Sequence, residues 1–131
     1  MPVPVPGDGQ VLVQVYAVGV NLLDSKLRSG EFKLILPYRV PLILGNDVAG
    51  EVVRVGPGVR RFKVGDEVYA RPDKGAIGTF AELIAMNEAD VALKPRSHSM
   101  EEAASIPLVG LTAWQALVER ANVQHGQKVF I

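Results

Sequence analysis

The sequence predicts a mainly β fold with short helices. Three observations predict it. β-Branched residues gather in short runs, as in QVLVQVYAVGV (10–20) and VAGEVVRV (48–55), and such residues suit a pleated, half-buried surface. Turns bearing glycine and proline, GDG at 7–9 and GPG at 56–58 among them, separate these runs. Helical signals are confined to NLLDSKLRSG (21–30) and to the stretch beyond Ser99.

Each element follows in chain order. Residues 3–9 alternate valine with proline and turn at Gly7-Asp8-Gly9, an extended lead-in. In the strand over 10–20, Val11, Val13, Val15 and Ala17 are expected on one face, with Leu12, Gln14 and Tyr16 on the other. Asn21 suits a helix N-cap, with Asp24 three places on and Gly30 at the C′ position. That helix is only about two turns long, so tertiary packing must hold it. Pro37 and Pro41 bracket a loop. Strands over 48–55 and 66–70 are joined through GPGVRRFKVG, where Arg60, Arg61 and Lys63 read as a solvated turn. A strand over 79–85 and an edge-like connection over 86–95 complete the β part.

The composition then turns helical. Ser99 and Glu102 form a capping box, and Pro107 stops the short helix they open. Glu101 and Glu102 favour its first turn through the helix dipole. Thr112 and Gln115 repeat the pattern and open a second helix. Trp114, Leu117, Val118 and Ala121 follow at helical spacing, and Trp114 reads as core. KVFI (128–131) begins a further strand.

Composition excludes several function classes. The 131 residues are 48% apolar, enough for a real core and too apolar for a disordered chain. Fourteen acidic residues balance fourteen basic ones without clustering, which argues against nucleic-acid partners and against a polybasic membrane patch. There is no cysteine, so disulfides and thiolate chemistry are ruled out. No apolar stretch approaches the roughly 18 residues of a membrane span, and the first residues lack the pattern of a signal peptide. The expected location is cytoplasmic.

NLLDSKLRSG, LGNDVAGEVVRVGPGVRRFKVGDEVYA, GTFAEL, AASIPLVGLTAWQAL and GQKVFI stand in this order along nearly the whole chain. In them the chain resembles the N-terminal GroES-like domain of the medium-chain dehydrogenase/reductase superfamily, in its zinc-independent quinone and enone oxidoreductase branch. The resemblance implies a partly open β-barrel over 1–110, lacking its usual first strand. It further implies a linker helix and the first strand of a truncated nucleotide-binding domain over 111–131. No G-x-G-x-x-G turn, whose backbone would cradle a pyrophosphate, is present.

The same resemblance implies roles for particular residues. Where the zinc-dependent branch has a cysteine and a histidine ligand, this sequence has Asn21 and Asn46. Zinc needs several Cys, His or carboxylate ligands converging within about 2.0–2.3 Å, so no metal is expected. The two histidines, His98 and His125, lie elsewhere. Asn21 and Thr112 match residues beside the nicotinamide of NADPH or NADH, although each also reads as a helix cap. Lys26 matches a lysine of the enone and alkenal reductases, and its alternative is a solvated lysine whose stem covers Leu22.

Function then has three readings. The preferred one is part of an NAD(P)H-dependent enzyme that reduces small carbonyl or quinone substrates by hydride transfer, inactive as this fragment alone. A GroES-like binding or structural module is the second, and the enoyl-reductase module of a larger synthase the third. Apolar residues at 114, 117 and 118, left without a partner domain, imply self-association.

Overall fold

The computed structural model describes residues 2–34 and 38–130. Pro37, one of the two prolines expected to bracket a loop, lies outside them, as does Ile131. Five strands form a single antiparallel sheet: β1 (Gln10–Gly19), β2 (Asp47–Val55), β3 (Glu67–Ala70), β4 (Leu83–Asn87) and β5 (Val91–Leu93). Their spatial order is β4-β1-β2-β3-β5, and the sheet stays open. Among the described residues three α-helices accompany it, α1 (Leu22–Ser29), α2 (Met100–Ala104) and α3 (Pro107–Trp114), with a 3-10 turn at Glu88–Asp90 and a π-helical turn at Gln115–Arg120.

The sheet wraps one apolar core. Val11 and Val13 of β1, Val48 and Val52 of β2, Val68 of β3, Met86 of β4 and Val91 of β5 meet there, with Phe62 from the β2–β3 connection. Ala49 faces the other way and packs with Ala103 and Ala104 of α2. Small side chains at this contact let α2 lie close on the sheet. Gly19 belongs to the same close approach, since a Cβ there would stand 2.6 Å from the Ala104 carbonyl oxygen.

Strand β1 departs from the expected alternation. Its register against β2 shifts between Val15 and Ala17, so two residues of β1 oppose one of β2. A bulge of this kind breaks the period of two. Val15 therefore packs on the main core while Ala17 joins the α2 cluster, although the sequence places both on one face.

The local caps form as expected. Asn21 is the N-cap residue of α1, and Gly30 ends it at φ 81°. Ser99 Oγ accepts the Glu102 N–H at 3.2 Å, and the Glu102 carboxylate accepts the Ser99 N–H at 2.8 Å. Arg60 and Arg61 sit in an exposed turn whose N–H groups are collected by the Glu88 carboxylate.

Four expectations need correction. The strand expected over 79–85 forms later, as Leu83–Asn87. The N–H groups of Gly78, Thr79 and Phe80 bond to the carbonyls of Gly45 and Leu44 instead, so no ladder can start there. The helix expected to open at Thr112 opens at Pro107. Proline suits the first turn because its absent N–H is not needed there. Trp114 is 57% exposed rather than core, and Val109 and Leu111 of the same helix are exposed too. Residues 128–130 are not a strand, having no ladder partner among the described residues.

Candidate functional site

Asp24, Asn46 and Asp47 are 3%, 1% and 1% exposed, unusual values for such polar side chains. They converge because α1 begins just after β1, and β2 begins beside the end of β1. Gly19 of β1 pairs directly with Asp47 of β2. Each carboxylate is met by two N–H donors. Asp24 accepts the Asn21 backbone N–H at 2.8 Å and the Asn46 side-chain amide at 2.7 Å. Asp47 accepts the Asn21 side-chain amide and the Leu108 backbone N–H, both at 2.8 Å.

The last bond explains where α3 starts. Ile106, its N-cap residue, makes no side-chain cap bond. Asp47 caps the helix from across the fold, and a negative charge also suits the helix N-terminus. Burial pushes the Asp47 carboxyl above its ordinary value. The Asn21 and Leu108 donors and the Arg71 charge pull it down, and the Asp24 charge pushes it up.

A second clasp holds Asn46. Gly45 has φ 108°, and a Cβ there would collide with Thr79 Oγ1. The loop carrying Gly78, Thr79 and Phe80 thus closes directly over the residue before Asn46. Thr79 is fully buried, and its hydroxyl oxygen has no hydrogen-bond partner among the described residues.

The structure brings Asn21 and Thr112 onto one chain of bonds and leaves Lys26 outside it. Thr112 lies inside α3, not at a cap, and its hydroxyl donates to the Leu108 carbonyl at 2.7 Å. Leu108 in turn donates to Asp47, which accepts from Asn21. Lys26 stands in the last turn of α1. Its ammonium lies 3.7 Å from the Glu31 carboxylate and 5.6 Å from the centre of the Phe32 ring. His98 bonds to Ser97, and His125 is exposed in a turn.

The donor set does not fit a zinc ion. A ligand must offer a lone pair, whereas Asn46 and Asn21 both point amide hydrogens at carboxylates that already hold other donors. Among the described residues no group of three or more His, Cys, Asp or Glu could hold a metal. A nicotinamide carboxamide fits better. Having donated its proton to Leu108, the Thr112 hydroxyl keeps lone pairs for an amide N–H. Asn21 fits less directly, since its amide donors turn inward to Asp47 and to the Gly19 carbonyl.

The alcohol dehydrogenase GroES-like domain family matches residues 7–96. The chain belongs to that family. It is 40% identical over 123 residues to the chloroplastic quinone-oxidoreductase QR1 of Triphysaria versicolor, covering 94% of this chain and 37% of that protein. It is 38% identical to the chloroplastic NADPH-dependent alkenal/one oxidoreductase of Arabidopsis thaliana, covering 98% of this chain and 34% of the relative. Among solved structures, an alcohol dehydrogenase superfamily protein from Novosphingobium aromaticivorans superposes with a TM-score of 0.91 at 46% identity, over 97% of this chain and 39% of that one. The chain thus spans little more than a third of the length of these relatives. The relatives are quinone and enone oxidoreductases of the medium-chain dehydrogenase/reductase superfamily, as the motif order implied.

Sequence reasoning missed the paired carboxylates and Arg71. Asp24 reads from sequence as a capping residue and Asp47 as a polar residue before a strand. Their spacing from Asn21 and Asn46 was the available signal. Arg71 carries no sequence signal, being a single arginine just past a strand end.

Proposed function

We propose that this chain is the substrate-side domain of an NAD(P)H-dependent oxidoreductase that reduces quinones, or the activated C=C bonds of enones and alkenals, without zinc. The observation that carries this reading is the amide–carboxylate network at Asn21 and Asn46. Amides satisfied by Asp24 and Asp47 occupy the two positions where the zinc-dependent branch places metal ligands. The names of the relatives, a quinone-oxidoreductase and an NADPH-dependent alkenal/one oxidoreductase, support the substrate class.

In this reading residues 1–110 form the substrate side, and 111–131 lead toward a nucleotide-binding domain. A nicotinamide bound beside α3 supplies the hydride. Thr112 holds its carboxamide, and Asn21 fixes the Asp47 carboxylate beneath α3. Hydride addition builds negative charge on the substrate oxygen, and Lys26 donates to that oxygen. A cationic donor aimed there stabilises the transition state more than the ground state. The Lys26 ammonium lies near Glu31 and Phe32 at the end of α1. The parent enzyme is cytoplasmic in this reading.

Steady-state kinetics of the full-length enzyme test the proposal. Lys26→Ala lowers enone turnover on the order of 10²-fold with cofactor affinity nearly unchanged. Dialysis against a chelator leaves the wild-type rate intact. Equal rates for wild type and Lys26→Ala on an enone and a quinone would remove Lys26 from the chemistry. Activity lost to the chelator and restored by zinc would overturn the metal-free reading.

A further inference from the structure

A groove of about 580 Å³ runs between β3, β5 and the flank of α3. Tyr69, Ile106, Leu111 and Trp114 give it an apolar lining, and Arg61 and Arg71 give it two guanidinium groups. Neither Asn21, Lys26 nor Thr112 lines it, and Arg71, whose charge reaches Asp47, links it to the site above. Its volume falls in the range of small-molecule sites, which combine apolar walls with a few placed polar groups.

The two arginines differ in one decisive respect. Arg61 is engaged: its guanidinium donates to the Glu88 carbonyl at 3.3 Å and stacks over Phe62 at 5.4 Å. Arg71 is not. Its Nε is buried without a hydrogen-bond partner, and among the described residues the side chain makes no ion pair. The acids of the groove form no ion pair with Arg71, and each accepts a backbone N–H. Asp73 accepts the Gly75 N–H at 2.9 Å, and Asp90 accepts the Asp73 N–H at 3.2 Å. Arg71 lines the groove and has no carboxylate partner among the described residues, so its guanidinium can take an acceptor that enters there.

We propose that this groove binds a flat, conjugated carboxylate, with its acid group on Arg71 and its ring system along Trp114 and Leu111. A guanidinium presents parallel N–H groups that match the two oxygens of a carboxylate, and the pairing is stronger than a neutral hydrogen bond. The exposed indole of Trp114 offers an aromatic face for the conjugated part. Asp73 and Asp90 offset the long-range charge, so recognition rests on direct contact with Arg71.

Titration of the ¹⁵N-labelled 131-residue chain with trans-cinnamate tests this site, and the hydride-transfer reading does not enter the test. Saturable shifts are expected at the Arg71 Nε–H and the Trp114 indole N–H. Arg71→Gln weakens cinnamate about tenfold, as does replacing the acid by the neutral cinnamamide, because both lose the charge-assisted pair. Arg61→Gln changes affinity by about twofold or less, since that side chain is committed elsewhere. Trp114→Ala, at an exposed position that the fold does not need, also weakens binding. The proposal fails if neither resonance shifts saturably, or if cinnamamide binds as tightly as cinnamate. It fails equally if Trp114→Ala, or a folded Arg71→Gln, retains wild-type affinity.

Discussion

The sheet and the helical end of this chain are built on opposite principles. Between β1 and β5, side chains such as Val11, Val13 and Val52 are completely buried, and they hold one another in place. From Pro107 onward Val109, Leu111, Trp114 and Val118 are 46–57% exposed, although the stretch is equally apolar. What anchors the helical end is a carboxylate at the start of β2 rather than a core of its own. Apolar composition therefore does not by itself make a core. A segment becomes core where its period matches a face that something else covers.

Truncation of single side chains should expose this contrast. Met86→Ala, in the core, is expected to cost about 2–5 kcal/mol in urea unfolding. Val109→Ala, on the exposed side of α3, should stay within about 0.5 kcal/mol of wild type. Equal costs would mean that the helical end is covered in solution and that the contrast is false.

A smaller effect is expected at the point joining the two regions. Asp47→Ala leaves the part-buried Leu108 N–H and Asn21 amide without their acceptor, at about 0.5–1.5 kcal/mol for each. Hydrogen exchange should quicken across α3 while the amides of β1 and β2 stay protected. Uniform loss of protection in both regions would show that they unfold as one unit.

The smallest effect concerns pH. Burial raises the Asp47 carboxyl in the folded state, so the native form binds its proton more tightly than the unfolded chain does. Its contribution to stability is fully present below the ordinary carboxyl value of 3.8 and is lost as pH rises through the raised folded value. Glu88 runs the other way: the Arg61 and Arg60 N–H groups lower its carboxyl, so its contribution is lost as pH falls through the lowered value. The stability of wild type relative to Asp47→Asn should therefore improve as pH is lowered from neutrality toward 4. A difference that is flat with pH, or that worsens, would contradict the burial assigned to this carboxylate.

How much of this was legible in the sequence follows the same division. Helices α1 and α2 were readable because their caps are local, Asn21 with Asp24 and Ser99 with Glu102. The start of α3 was not, because its cap comes from Asp47, 61 residues upstream. Strand β2 was readable from its β-branched residues and the turn that ends it, whereas β4 began late once Gly45 and Leu44 had taken the N–H groups before it. At the site, Asn21 and Asn46 stood out through the metal ligands that the resemblance implies at those positions in the zinc-dependent branch. That Asp24 and Asp47 come together depends on the end of β1 meeting the start of β2, and only their spacing from Asn21 and Asn46 hinted at it.

The bond from Asp47 to Leu108 also bears on the order of events during folding. Closing a loop of 61 residues carries an entropic penalty that α1 and its neighbouring turns do not meet. The first residue of β2 must be in place before it can receive the helix. Docking of α3 should therefore come late, after the transition state in which the sheet has gathered. In a kinetic comparison, Asp47→Ala would speed departure from the native state and barely slow arrival at it. A nascent chain would then pass through a stage in which the sheet is complete and the last helix still drifts, with Trp114 open to whatever surface meets it first.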